Sequence, residues 1–121
     1  ARDKKLVDHL HRLVANLVAN AQLHGGGRQE IVCRQLCGVL CIGVRDRGPG
    51  IPGDQHEAVF RPFHRLDPAR QRGTGGSGLG LAIARQLADT HGWRLGLRAR
   101  RGGGSSFWLL LPAVWRAGSP A

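Results

Sequence analysis

Two carboxamides, one carboxylate and a run of glycines are the residues whose types and spacing could do chemistry together. Asn16 and Asn20 are four apart within a stretch whose apolar residues repeat at steps of three and four, so they share one helix face. A carboxamide oxygen is a neutral ligand suited to Mg²⁺, which keeps several waters and shares its substrate's phosphates. A solvated asparagine stripe would show the same spacing. Asp46 ends a β-branched run, and Arg47-Gly48-Pro49-Gly50 follows at once. An ionised carboxylate only accepts hydrogen bonds. At the end of a half-buried strand it suits a ligand with an amino group beside a ring, such as adenine. An ordinary aspartate in a turn before Pro-Gly would look alike. Gly48 and Gly50 let backbone approach a ligand closely.

The run Gly73-Thr74-Gly75-Gly76-Ser77-Gly78-Leu79-Gly80 leads straight into an apolar helical pattern. Backbone N–H groups at a helix start form an anion site, and glycines let phosphates come near. Residues 73–78 formally match GxGxxG. Ala69-Arg70-Gln71-Arg72 precedes them where a dinucleotide site needs a strand, so that reading is rejected. No GxxxxGK[ST] occurs either. A flexible glycine linker would account for the glycines but not for the helix that follows. A third segment, Gly102-Gly103-Gly104-Ser105-Ser106-Phe107, is by itself only a turn.

These residues need elements to hold them. Residues 5–24 read as a helix with Leu6, Leu10, Leu13, Val14, Leu17, Val18 and Ala21 on its apolar face, stopped by Gly25-Gly26-Gly27. Residues 29–36 and 39–46 read as an antiparallel hairpin. Residues 54–61 suit a short helix, 66–78 a polar glycine-rich loop, and 79–91 a second long helix ended by Gly92. Residues 93–99 and 106–111 read as two more strands joined across Arg101-Gly102-Gly103-Gly104. The order predicts an α+β, two-layer sandwich, with one domain over 1–112 and a tail over 113–121.

Composition narrows the field. The chain has 121 residues, 41% apolar and 21% charged, which fits one globular domain. No apolar run nears the roughly 20 residues that span a bilayer. The net charge of +10 favours a polyanionic partner: nucleic acid, acidic lipid or a nucleoside polyphosphate. A biased genome with a solvated basic surface fits as well. Aromatic residues are few, so base stacking has little to work with and no nucleic-acid role is expected. Cys33, Cys37 and Cys41 are odd in number and lack a paired CxxC, which argues against a zinc site or a disulfide framework. They are expected to be buried free thiols.

Taken in order, five segments resemble the boxes of the ATP-binding domain of two-component sensor histidine kinases, over residues 8 to 112. Asn16 to Ala21 resembles the N box, and Val44 to Pro52 the G1 box. Val59 to Arg65 resembles the F box, and Gly76 to Ile83 the G2 box. Gly104 to Phe107 with Leu109 to Pro112 resembles the closing segment. The resemblance implies a Bergerat-type fold with a mixed, mostly antiparallel sheet. Family domains usually begin with one or two strands before the first helix. None is read here, so four strands are expected.

The resemblance also implies roles. Asp46 would take the adenine amino group, with Gly48, Gly50 and Ile51 lining the base. Asn20 would hold Mg²⁺, and Asn16 would lie near the phosphates; both are the candidate catalytic residues. His24 would lie beside the nucleotide. Gly76, Ser77, Gly78, Leu79 and Gly80 would present their backbone to the phosphates, and Ser106 would complete the pocket. Residues 64–77 would form an ATP lid anchored by Phe60 and Phe63, with Arg65, Arg70 and Arg72 available to the polyphosphate. Leu23 stands where the family often has a basic residue, and Trp93 where it often has a second glycine.

Topoisomerases and chaperones that share this nucleotide fold carry a glutamate general base one helical turn before the Mg²⁺-binding asparagine. Asn16 stands at that position, and an amide cannot take a proton. Transfer to a protein histidine is thus favoured over hydrolysis, with a stand-alone ATPase or a degenerate binding module as alternatives. None of the six histidines has a phosphoacceptor's sequence context. The acceptor histidine is therefore expected on a separate phosphoacceptor and dimerisation domain, with a response regulator downstream. The domain itself is expected to be a monomer on the cytoplasmic side of an inner-membrane sensor.

Overall fold

The computed structural model describes residues 2–24, 29–63 and 79–112, the side chains of residues 2, 3 and 24 excepted. Helix α1 spans Arg2–His24. Its stripe buries Leu13, Leu17 and Ala21 completely, with Leu6, Leu10, Val14 and Val18 half-buried alongside. Each fully buried leucine contributes about 2–3 kcal/mol relative to exposure. Strands β1 (Gln29–Leu36) and β2 (Val39–Asp46) form the expected hairpin. Two 3₁₀ turns, Gly53–Gln55 and Ala58–Phe60, replace the single short helix expected over 54–61. Pro52 and the glycines around it leave too few helix-forming residues to sustain a regular turn.

Helix α2 covers Gly80–His91 and ends where expected. Gly92 takes the left-handed conformation (φ 72°), its N–H bonds the Asp89 carbonyl, and the Trp93 N–H bonds that of Ala88 at 2.8 Å. Strands β3 (Arg94–Ala99) and β4 (Ser105–Pro112) complete a sheet of order β1-β2-β4-β3. Every described pairing is antiparallel, so the mixed character expected of the sheet does not arise among the described residues.

The strand period of two sorts the side chains. Ile42 and Val44 of β2, Phe107, Leu109 and Leu111 of β4, and Leu95 of β3 face the helices and form the core with Leu13, Leu17, Ala84 and Ala88. Ala84 and Ala88 are fully buried, and their small size lets α2 lie close to α1 and the sheet. The opposite sheet face carries no helix among the described residues. There the Trp108 indole lies across Gly96, where an added Cβ would overlap the ring.

The cysteines differ from expectation. Cys33 and Cys37 are exposed and Cys41 is half-buried. They sit on the outer hairpin, where β1 forms the sheet edge and is little covered by α1, so being free thiols does not bring burial with it. Among the described helices, none is long and apolar enough to cross a membrane. The expected loop over 66–78 and tail over 113–121 lie outside the described residues.

Candidate nucleotide site

Asp46 is the last residue of β2 and only 5% exposed. A buried carboxylate must be hydrogen-bonded. Its Oδ1 accepts from the Gly48 N–H at 2.9 Å and from the Ser105 N–H at 3.2 Å. The first bond folds the chain back just after the strand. The second fastens that turn to the start of β4. The second carboxylate oxygen lies outside both bonds.

The glycines around Asp46 are dictated by geometry. Gly50 has φ 82°, and a Cβ there would lie 3.5 Å from the Gly104 carbonyl oxygen. Gly104 has φ 99°, and a Cβ there would overlap the Asp46 carbonyl. The segment after β2 and the β3–β4 turn thus pack backbone on backbone. Two arginines close the joint. Arg47 Nη1 donates to the carbonyls of Arg101 (3.0 Å) and Gly103 (3.3 Å). Arg100 Nη1 donates to the Asp46 carbonyl at 3.0 Å, while its Nη2 meets Glu30 at 3.6 Å. Guanidinium groups therefore frame this end of the sheet with positive charge.

Helix α1 brings the carboxamides. Asn16 and Asn20 are half-buried on one face of the helix. The Asn16 Nδ2 donates to the Gly80 carbonyl at 3.2 Å, which ties the asparagine face to the first residue of α2. No acid occupies the first turn of α2. Its leading N–H groups are thus suited to anionic oxygen. Leu79, half-buried, is the cap residue ahead of Gly80.

Other residues named from the sequence fall out as follows. Ile51 is half-buried against the core, and its carbonyl meets His56 Nε2 at 2.9 Å. Phe60 is buried edge-on to Phe107, ring centroids 5.9 Å apart. Phe63, the other lid anchor expected, is 67% exposed with φ 62°. Ser106 pairs between Arg45 and Arg98 on the helix-free face, away from Asp46. Its neighbour Ser105 makes the contact instead, through backbone N–H, a signal no side-chain pattern carries. Arg65, Arg70, Arg72, Gly76, Ser77, Gly78 and the His24 side chain lie outside the described residues.

Arg85 was not singled out from the sequence. Its guanidinium stands 4.1 Å from the Phe60 ring centroid and donates to Glu57 (3.2 Å) and to the Leu95 carbonyl (3.3 Å). It therefore pins the F-box segment to α2 and β3.

Comparison with known proteins shows the family. The family model described as "Histidine kinase-, DNA gyrase B-, and HSP90-like ATPase" matches residues 5–114. The chain belongs to this family. SenX3, a sensor-like histidine kinase of Mycolicibacterium smegmatis, is 45% identical over 101 residues, which is 82% of this chain and 26% of that protein. Among solved structures, the mycobacterial sensor histidine kinase MprB superposes with a TM-score of 0.73 at 34% identity, covering 87% of this chain and 70% of that one. Full-length ShkA, solved in complex with AMPPNP, superposes with a TM-score of 0.72 at 28% identity, covering 86% and 21%. The chain thus spans about a quarter of the curated relative's length. It is an ATP-binding domain of the sensor-kinase type.

Proposed function

We propose that this histidine kinase-like domain holds Mg-ATP and supplies the γ-phosphoryl group to a histidine on a separate phosphoacceptor domain of a membrane-anchored sensor, for passage to a response regulator. The observation that carries this reading is the Asn16–Gly80 bond, which sets the carboxamide face against the start of α2. Asp46 is fixed at the same end of the fold. The short connection after α1 enters β1 at Gln29, which pairs with Asp46.

The Asp46 carboxylate accepts a hydrogen bond from the adenine amino group through the oxygen not engaged by Gly48 and Ser105. Gly48, Gly50 and Ile51 flank the base. The N–H groups of Gly80 and its neighbours meet the phosphates, with Gly76, Ser77, Gly78, His24 and the lid residue Arg65 around them, and Phe60 and Phe63 anchor the base of the lid. The residues fit a divalent cation of the hard, oxygen-liganded kind, since Asn20 offers a neutral oxygen and the phosphates bring the charge. The cation supplies charge neutralisation on the polyphosphate. Phosphoryl transfer is mostly positioning and electrostatics, so these residues suffice without a covalent intermediate on the domain. Asn16 cannot accept a proton, which leaves water unactivated and favours transfer over hydrolysis.

Titration calorimetry of the chain with ATP and Mg²⁺ tests the site. Asp46→Asn keeps a carbonyl oxygen for the two backbone donors but turns the other position into a donor. ATP affinity should fall more than about tenfold, an effect of at least about 1.4 kcal/mol, while the fold persists. Unchanged affinity would refute the assignment. Phosphotransfer from ATP to an added phosphoacceptor domain separates the kinase from the ATPase reading. Steady phosphate release by the chain alone, lost on changing Asn16, would favour the ATPase.

A further inference from the structure

The hairpin joining β1 to β2 closes the sheet at the end opposite Asp46. Its turn is Cys37-Gly38, both at positive φ (53° and 78°). This two-residue turn matches strand twist and usually takes Asn-Gly or Asp-Gly. Here Leu36, Cys37, Gly38 and Val39 bring no charged or amide side chain. Leu36 is 74% exposed and Val39 40%. A Cβ added at Gly38 meets nothing within 4 Å. The apolar tip therefore projects instead of packing.

Charge stands directly behind it. On the helix-free face, the register places Leu36, Val39 and Pro112 in one row and Arg34, Cys41, Leu110 and Arg94 in the next. Arg34 and Arg94 are exposed at the two ends of that second row. One pleat separates the rows, about 7 Å.

We infer that the β1–β2 tip docks on an anionic lipid surface, with Leu36 and Val39 entering the headgroup boundary and Arg34 and Arg94 meeting lipid phosphates. The net charge of +10 sets the sign of the partner. Convexity sets its kind. Among the described residues the projecting tip offers no groove for a shaped protein segment, whereas a fluid interface needs none. Stable peripheral attachment takes two signals, apolar burial plus basic charge, and the tip and its arginine pair supply both. A second copy on the same patch would set arginines against arginines. β2 runs eight residues from tip to Asp46, about 25 Å, so a docked domain keeps its nucleotide end in water.

Co-sedimentation of the chain with vesicles of equimolar phosphatidylcholine and phosphatidylglycerol tests this. The chain should bind them, bind pure phosphatidylcholine far less, and release with salt. Leu36→Asp with Val39→Asp should cut partitioning more than about tenfold. Arg34→Gln with Arg94→Gln should cut it about fivefold per arginine. Circular dichroism confirms folding, and Leu36→Ser with Val39→Ser replaces the aspartate pair if that variant does not fold. Three results would overturn the inference. One is no binding to the mixed vesicles. Another is binding that the tip variants leave unchanged, which diffuse charge alone explains. The third is tip variants that alter the chain's oligomeric state, or its capture of an acidic peptide, and leave its lipid partitioning as in the unmodified chain.

Discussion

In the proposed nucleotide site Asp46 carries two duties on one side chain, and they can be separated. One carboxylate oxygen holds the Gly48 and Ser105 N–H groups, and this architecture must stand before any ligand arrives. Removing it with Asp46→Ala leaves two donors at a buried site without their acceptor, costing about 2–3 kcal/mol. Asp46→Asn spares that cost, so the two variants should match in ATP affinity and differ in thermal midpoint. Gly104 is equally constrained, because its φ of 99° and its contact with the Asp46 carbonyl both exclude a side chain. Gly104→Ala should destabilise the chain by more than about 2 kcal/mol, read from chemical denaturation. It should also weaken ATP binding by displacing Asp46.

Between elements, two polar ties beside the Asn16–Gly80 bond join the helices to their neighbours among the described residues. Arg85 joins α2 to the Phe60 segment and to β3. Its partner Glu57 is largely exposed, so the ion pair contributes little and the ring and carbonyl contacts carry the tie. Arg85→Ala should cost about 1–2 kcal/mol. Arg85→Met, which keeps the stem, should recover part of it in thermal melts.

The second tie is between α1 and the end of α2. His9 Nδ1 and His91 Nε2 are 2.7 Å apart, and His91 stacks on Trp93 with centroids 4.4 Å apart. One imidazole donates to the other, so both cannot be charged without repulsion. Burial, His9 and Lys5 hold the His91 pKa below its ordinary 6.5. The unfolded chain then binds more protons than the folded one as pH falls through this range. Stability is full above about pH 6.5 and declines below it. The thermal midpoint should drop between about pH 8 and about pH 5.5, and His91→Gln should flatten that dependence. A profile unchanged by the substitution would assign the acid sensitivity to other groups.

For the molecule as a whole, ligand and fold are linked. Nucleotide that binds only the folded state at about 100 times its dissociation constant adds about 2.7 kcal/mol. Scanning calorimetry with ATP should show a rise of several degrees. If the proposed site holds, chelating Mg²⁺ should remove much of it, because the phosphate charges would then face the helix start and the carboxamides without a counter-ion.

Much of this architecture was legible in residue order. The step of three and four from Leu6 to Ala21 can satisfy only a helix, and Gly92 can end α2 because a left-handed cap costs glycine nothing. The runs on either side of Cys37-Gly38 are short, β-branched and bounded by turn residues, as hairpin strands are. Asp46 before Gly48-Pro49-Gly50 marked the strand end, and Asn16 with Asn20 marked one helix face. Packing alone decided the rest. Thiol exposure depends on which strand lies at the edge. The partner of Asp46 is a backbone N–H of Ser105, which no side-chain identity announces. Arg85 looks like any helix-surface arginine until Phe60, Glu57 and Leu95 meet it from three elements. Periodicity and turn chemistry are local and written in neighbouring residues. The meeting of distant backbones around Asp46 is a property of the assembled sheet, and it exists only once β4 has paired with β2.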